Sequence, residues 1–188
     1  MRTQHLLAGV VTVGLTAASL AGLALTQPRS LPRSIGTYAG AWAGRCAVPA
    51  LAGQTVTVVA ADMGGPWMMG GGSPMRGGMI LQASPQRVPA GVVSFALLNQ
   101  GSLTHELVLL PLGKAAAVGS RAVGSDGRVG EGASLGEASN DCGAGSGEGV
   151  RPGGAGWFTV TLAPGRYELL CNLPGHYAAG MYTELDVT

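Results

Sequence analysis

Residues 171–181 read Cys171-Asn172-Leu173-Pro174-Gly175-His176-Tyr177-Ala178-Ala179-Gly180-Met181, which sets a thiol, an imidazole and a thioether at equal five-residue steps. On a helix of roughly 3.6 residues per turn, each step would rotate about 140° beyond a full turn and fan the three side chains around the circumference. Pro174-Gly175 forbids that helix, because proline lacks the N–H and its ring clashes with the preceding turn. The stretch therefore predicts a strand, a tight loop and a second strand. Residues 166–171 run in, Pro174-Gly175 turns the chain, and residues 181–187 run out. Three donors then converge on one point, and together they form a metal-binding set.

Ligand softness narrows the metal. A thiolate, a thioether and imidazole nitrogen suit copper, and two histidines with a cysteine and a weak axial methionine form the blue-copper arrangement. That arrangement needs a second histidine. The chain holds three, and His5 lies in the N-terminal apolar segment, which leaves His105 in Asn99-Gln-Gly-Ser-Leu-Thr-His105-Glu-Leu-Val-Leu-Leu. An Asn-rich turn before a β-rich run places His105 at or near the start of a strand over 104–110. Period-two alternation puts His105, Leu107 and Leu109 on one buried face. A lone buried histidine is ordinarily a satisfied core residue; here the Cys/His/Met loop lacks a fourth donor and no other histidine is available.

The pattern Cys171-x4-His176-x4-Met181 with an upstream, strand-borne His105 resembles the cupredoxins, the small blue copper proteins. The loop and the long inserted region before it are most similar to the sulfocyanin and rusticyanin-type branch. The resemblance covers roughly residues 52–188 and is strongest in the last strand pair. It implies an all-β, Greek-key β-sandwich holding one type 1 copper ion through His105, Cys171, His176 and Met181. It also implies a protein that is not an enzyme but shuttles single electrons through Cu(I)/Cu(II) to and from redox partner proteins. Glu106 departs from the family pattern, since several blue copper proteins have Asn or Ser there, hydrogen-bonding near the cysteine.

Composition agrees with that class. The 188 residues allow one domain of ordinary size plus extensions. Eleven basic against ten acidic residues give a net charge of +1, so the electrostatic footprint of a nucleic-acid binder is missing. Charged residues make up 11% and glycines number 33, against averages of roughly 25% and about 7%. Few helices and many short strands are expected, with alternation such as Val93, Phe95 and Leu97. With Cys171 taken as a ligand, Cys46 and Cys142 remain as a candidate disulfide. The alternative is two unpaired thiols, awkward in an oxidising compartment.

Arg2 and the apolar run to Thr26 make residues 1–26 a signal peptide or an N-terminal membrane anchor. The run matches the roughly 20 residues of a membrane span and exceeds a signal core of about 7 to 15, although Gly22-Leu-Ala24 offers small residues at cleavage spacing. Either role puts the rest of the chain outside the cytoplasm, in the periplasm or on the outer face of the cell membrane. Residues 27–45, with Pro28, Pro32 and Gly36, read as a linker, and 46–188 as the copper-binding domain. Strands are expected over 54–61, 79–83, 92–98 and 157–162. A Gly-rich insertion spans 113–155, with a short helix over 134–138.

Residues 63–79 hold five of the seven methionines in a glycine frame. They read as an apolar flap or partner-contact surface, or as a Cu(I)-collecting site in the alternative function, a copper chaperone or storage module. An oxidase would need further histidine clusters for a second copper, and only His5 is left to supply them. For an electron carrier, the exit is expected at the edge of His176. Pro174, Gly175, Tyr177, Ala178 and Ala179 surround it there with a small apolar patch where redox partners dock.

Overall fold

The computed structural model describes residues 45–62 and 78–188. The expected N-terminal anchor, nearly all of the linker and most of the Met-rich segment lie outside the described residues. Among the described residues there is no α-helix. The strands are β1 (Gln54–Asp62), β2 (Met79–Ser84), β3 (Arg87–Val88), β4 (Gly91–Asn99), β5 (Leu107–Leu112), β6 (Gly136–Ala138), β7 (Gly143–Ala144), β8 (Ala155–Leu162), β9 (Gly165–Leu170) and β10 (Tyr182–Val187). They form two five-stranded sheets, β2-β1-β4-β8-β7 and β3-β10-β9-β5-β6. The chain crosses between the sheets after β2, β3, β4, β6 and β8, as a Greek-key sandwich requires. The all-β sandwich expected from the sequence is the one observed.

Strand chemistry explains the layers. In β1 the alternation of Val56, Val58 and Ala60, all fully buried, against more exposed threonines turns one face to the core. Phe95 of β4 lies directly opposite Phe158 of β8, and their rings stack at 4.8 Å. With Leu97, Leu107, Leu109, Leu169 and Leu185 they fill the space between the sheets.

Register decides where the site falls. β9 pairs antiparallel with both β5 and β10, and Leu170 lies opposite Val108 and Tyr182. The end of β9 therefore abuts the starts of its two neighbours. Cys171 follows β9 directly, Met181 immediately precedes β10, and His105 stands two residues before β5. Three separate stretches of chain thus deliver their side chains to one end of one sheet.

The structure corrects three local expectations. His105 is not inside the strand; it makes an isolated antiparallel bridge with Val150, His105 N donating to Val150 O at 3.0 Å and Val150 N to His105 O at 2.7 Å. Residues 136–138 are strand rather than helix. They pair with β5, Leu109 against Gly136 and Leu107 against Ala138, because the open edge of β5 needs partners for its backbone groups. Gly136 permits that approach, since a Cβ there would strike the Phe158 ring. Finally, β5 is buried on both faces: Leu107 and Leu109 enter the main core, while Val108 and Leu110 join Val129, Leu170 and Tyr177 in a second cluster. The insertion supplies Val129 and so roofs the outer face of the sheet.

Cys46 and Cys142 are disulfide-bonded across 96 residues of chain. Closing so long a loop restricts the unfolded ensemble strongly, so replacing both cysteines by serine should cost about 2–5 kcal/mol. Denaturant unfolding of the oxidised protein and of the double variant checks this.

Candidate metal centre

Leu173-Pro174-Gly175-His176 forms a tight turn in which His176 N donates to Leu173 O at 3.0 Å. Pro174 pre-sets the second position, and Gly175 supplies the positive φ of 83° that the third requires. Backbone bonds then close the loop: Cys171 N donates to Met181 O at 3.0 Å, and Met181 N to His176 O at 3.1 Å. The loop's three donor residues are tied to one another through the main chain before any ion is considered.

His105, Cys171 and His176 bring one donor atom each into a single cluster. His105 Nδ1 lies 3.3 Å from His176 Nδ1, Cys171 Sγ lies 3.4 Å from His176 Nδ1, and Cys171 Sγ lies 4.0 Å from His105 Nδ1. A triangle of that size has one point about 2 Å from all three atoms, close to metal–nitrogen and metal–thiolate bond lengths of about 2.0–2.3 Å. Two imidazole nitrogens facing each other beside a thiol are also explained by a shared cation. The donor set therefore fits a soft transition metal such as copper. Met181 is fully buried beside the loop.

Burial favours the neutral form of each donor. Burial pushes the Cys171 thiol up to about 12, although the backbone N–H groups of Glu106 and Leu173 point at its sulfur and favour the thiolate. Burial lowers His105, partly offset by Asp62, and lowers His176, to which the neighbouring His105 adds. At pH 7 both imidazoles are thus already deprotonated and the thiol is not. Loading a metal ion should release one proton per chain, and affinity should rise about tenfold per pH unit between neutrality and the thiol's value. Metal titrations at several pH values check the slope; an affinity independent of pH would contradict it.

Glu106 takes over the position next to the cysteine in its own way. Its N–H donates to Cys171 Sγ at 3.4 Å and its Oε1 accepts from Asn172 N at 3.1 Å. Burial, with Glu137 and Glu131 nearby, raises its carboxyl to about 7.

The insertion grips the loop at three points. Asn172, 1% exposed, accepts from Val129 N at 2.7 Å and donates to Val129 O at 2.9 Å, and it also donates to Glu131 Oε1. Gly175 N donates to Gly127 O at 2.9 Å. Arg121 N donates to the Tyr177 hydroxyl at 3.0 Å, and that hydroxyl donates to Glu168 Oε1 at 3.0 Å. Glu168 is fully buried and also receives Arg121 Nε at 2.5 Å and Gly119 N at 2.6 Å. At the surface, Pro174, Gly175 and Ala178 are exposed, and His176 and Ala179 are half-buried; Tyr177, expected in that patch, is instead buried with its hydroxyl turned in to Glu168.

Sequence reasoning named His105, Cys171, His176 and Met181, and the structure brings the first three to one point with Met181 buried next to them. It missed Asp62, whose Oδ2 lies 3.0 Å from His105 Nε2, and the Asn172 and Glu168 contacts to the insertion. A polar residue ending the apolar run Val58–Ala61 was the only available signal for Asp62.

A β-sandwich whose final hairpin offers a thiol, an imidazole and a buried thioether, completed by a second imidazole before β5, defines a cupredoxin. Residues 82–188 match the sulfocyanin (SoxE) domain, and the chain belongs to the sulfocyanin family of these blue copper, electron-transport proteins, with one type 1 copper ion as cofactor. No curated protein sequence matches it. Among solved structures it is similar to auracyanin B at 26% identity, covering 77% of this chain and 96% of that one with a TM-score of 0.45. It is similar to rusticyanin from Thiobacillus ferrooxidans at 22% identity, covering 77% and 87% with a TM-score of 0.43. A reduced auracyanin from the photosynthetic bacterium Roseiflexus castenholzii matches at 22% identity, covering 72% and 99% with a TM-score of 0.42.

Proposed function

We propose that His105, Cys171, His176 and Met181 hold the copper ion, and that residues 46–188 carry single electrons outside the cytoplasm between redox partners docking over His176. The observation that carries this reading is the triangle formed by His105 Nδ1, Cys171 Sγ and His176 Nδ1. The ion supplies a one-electron couple, Cu(I)/Cu(II), and the protein's part is to hold it in one geometry acceptable to both states. Cys171 would bind as the thiolate, with the two imidazoles and the Met181 thioether completing the set. Because the loop is fixed by its own backbone bonds and by the insertion, its donors have little room to rearrange when the charge changes.

The exit for the electron is the half-buried edge of His176, framed by the exposed Pro174, Gly175 and Ala178. So small an apolar patch suits brief docking, as in weak redox encounters. Ala179→Glu should slow electron exchange with the partner by about tenfold or more while leaving the visible spectrum unchanged, since a charge there must be desolvated on docking. Stopped-flow exchange kinetics check this. The Cys46–Cys142 disulfide supports an oxidising, extracytoplasmic setting, and residues 1–26 are the proposed signal or anchor. Cupredoxins are electron carriers rather than enzymes.

The visible spectrum and copper stoichiometry of the oxidised protein test the reading. One copper per chain with an intense thiolate-to-copper band is expected. Several coppers per chain without that band would favour the chaperone or storage alternative.

A further inference from the structure

Asp62 ends β1, is 6% exposed and lies 43 residues before His105. Its Oδ2 stands 3.0 Å from His105 Nε2, the ring nitrogen turned away from Cys171. Ser102 N and Leu103 N donate to the same oxygen at 2.7 and 3.0 Å, and Ser102 Oγ donates to Oδ1 at 2.6 Å. Gly101 makes room for the contact, because a Cβ at that position would collide with Asp62 Oδ2 and come within 3.0 Å of His105 Nε2. Two backbone amides and a hydroxyl thus aim a buried carboxylate at one histidine.

From this geometry we infer that Asp62 is a positioning residue: it fixes the tautomer and ring plane of His105 and biases the centre toward Cu(II). The inference rests on His105 being a copper ligand. A ligating Nδ1 must offer its lone pair, so the ring proton sits on Nε2, facing Asp62. A carboxylate accepting that proton raises the basicity of the imidazole. The more basic ligand favours the more highly charged ion, Cu(II) over Cu(I).

The test uses the full chain with Asp62→Asn, which keeps an acceptor but removes the charge, and Asp62→Ala, which removes both. Loss of such a partner typically costs about 10–100-fold in metal affinity. In both variants Cu(II) affinity should fall by that order and Cu(I) affinity by less, raising the reduction potential by about 59 mV for each tenfold difference. Asp62→Ala should in addition change the Cu(II) electron paramagnetic resonance spectrum. In the Cu(I) wild type, nuclear magnetic resonance should find a slowly exchanging proton on His105 Nε2. A proton in fast exchange there would overturn the inference even if neither variant folds. His105→Ala separates the two levels. If the blue colour survives it, the ligand assignment itself fails. If the colour is lost but both Asp62 variants keep the wild-type potential and spectrum, only the role of Asp62 is overturned.

Discussion

Cys171→Ser should yield a protein that folds but is colourless, with Cu(II) affinity reduced by more than the roughly 100-fold that loss of a mere supporting contact can cost. The blue band requires a thiolate bound to copper, and a serine hydroxyl neither ionises near neutrality nor supplies a soft donor. The sulfur is fully buried and receives the Glu106 N–H, so the smaller hydroxyl can accept the same bond. The fold itself should lose only about 1–3 kcal/mol. Visible absorption and copper titration together decide the matter. An intense band persisting in the serine variant would remove Cys171 from the centre.

The second large effect belongs to stability. Arg121→Ala leaves Glu168, fully buried in β9, facing the Tyr177 hydroxyl and Gly119 N without its cation. Removing one partner of a buried ion pair typically costs about 3–5 kcal/mol, because the remaining charge stays desolvated. It also removes the Arg121 Nη2 bond to Pro111 O at 2.6 Å, so the start of the insertion loses its tie to β5. Denaturant unfolding should report the loss. Arg121→Lys should recover only part of it, since lysine cannot span both acceptors as the guanidinium does. A variant as stable as the wild type would show that the insertion does not depend on this pair.

The central hairpin was legible because its signals are local. Proline and glycine fixed the turn at 174–175, β-rich runs flanked it, and the donor types at 171, 176 and 181 named the metal class. His105 could be chosen because the chain offers so few histidines. What lay beyond reach was non-local. Nothing in the spacing relates Asp62 to a histidine 43 residues later; only the parallel pairing of β1 with β4 brings the end of β1 beside the turn that leads to His105. Residues 136–138 form a strand because the edge of β5 lies open to them, a tertiary demand that local propensity does not encode. The insertion shows no periodicity because its order comes from single contacts to the loop, such as Val129 to Asn172 and Gly127 to Gly175. The Leu107–Leu110 run was the one local hint of that cover, since four consecutive buried apolar residues imply a strand covered on both faces.

The most direct measurement is anomalous diffraction at the copper absorption edge from crystals of the copper-loaded protein. The predicted result is a single peak within bonding distance of His105 Nδ1, Cys171 Sγ and His176 Nδ1, with the Met181 sulfur as the next nearest donor. A peak placed away from these three atoms, or copper bound only within residues 63–79, would contradict it.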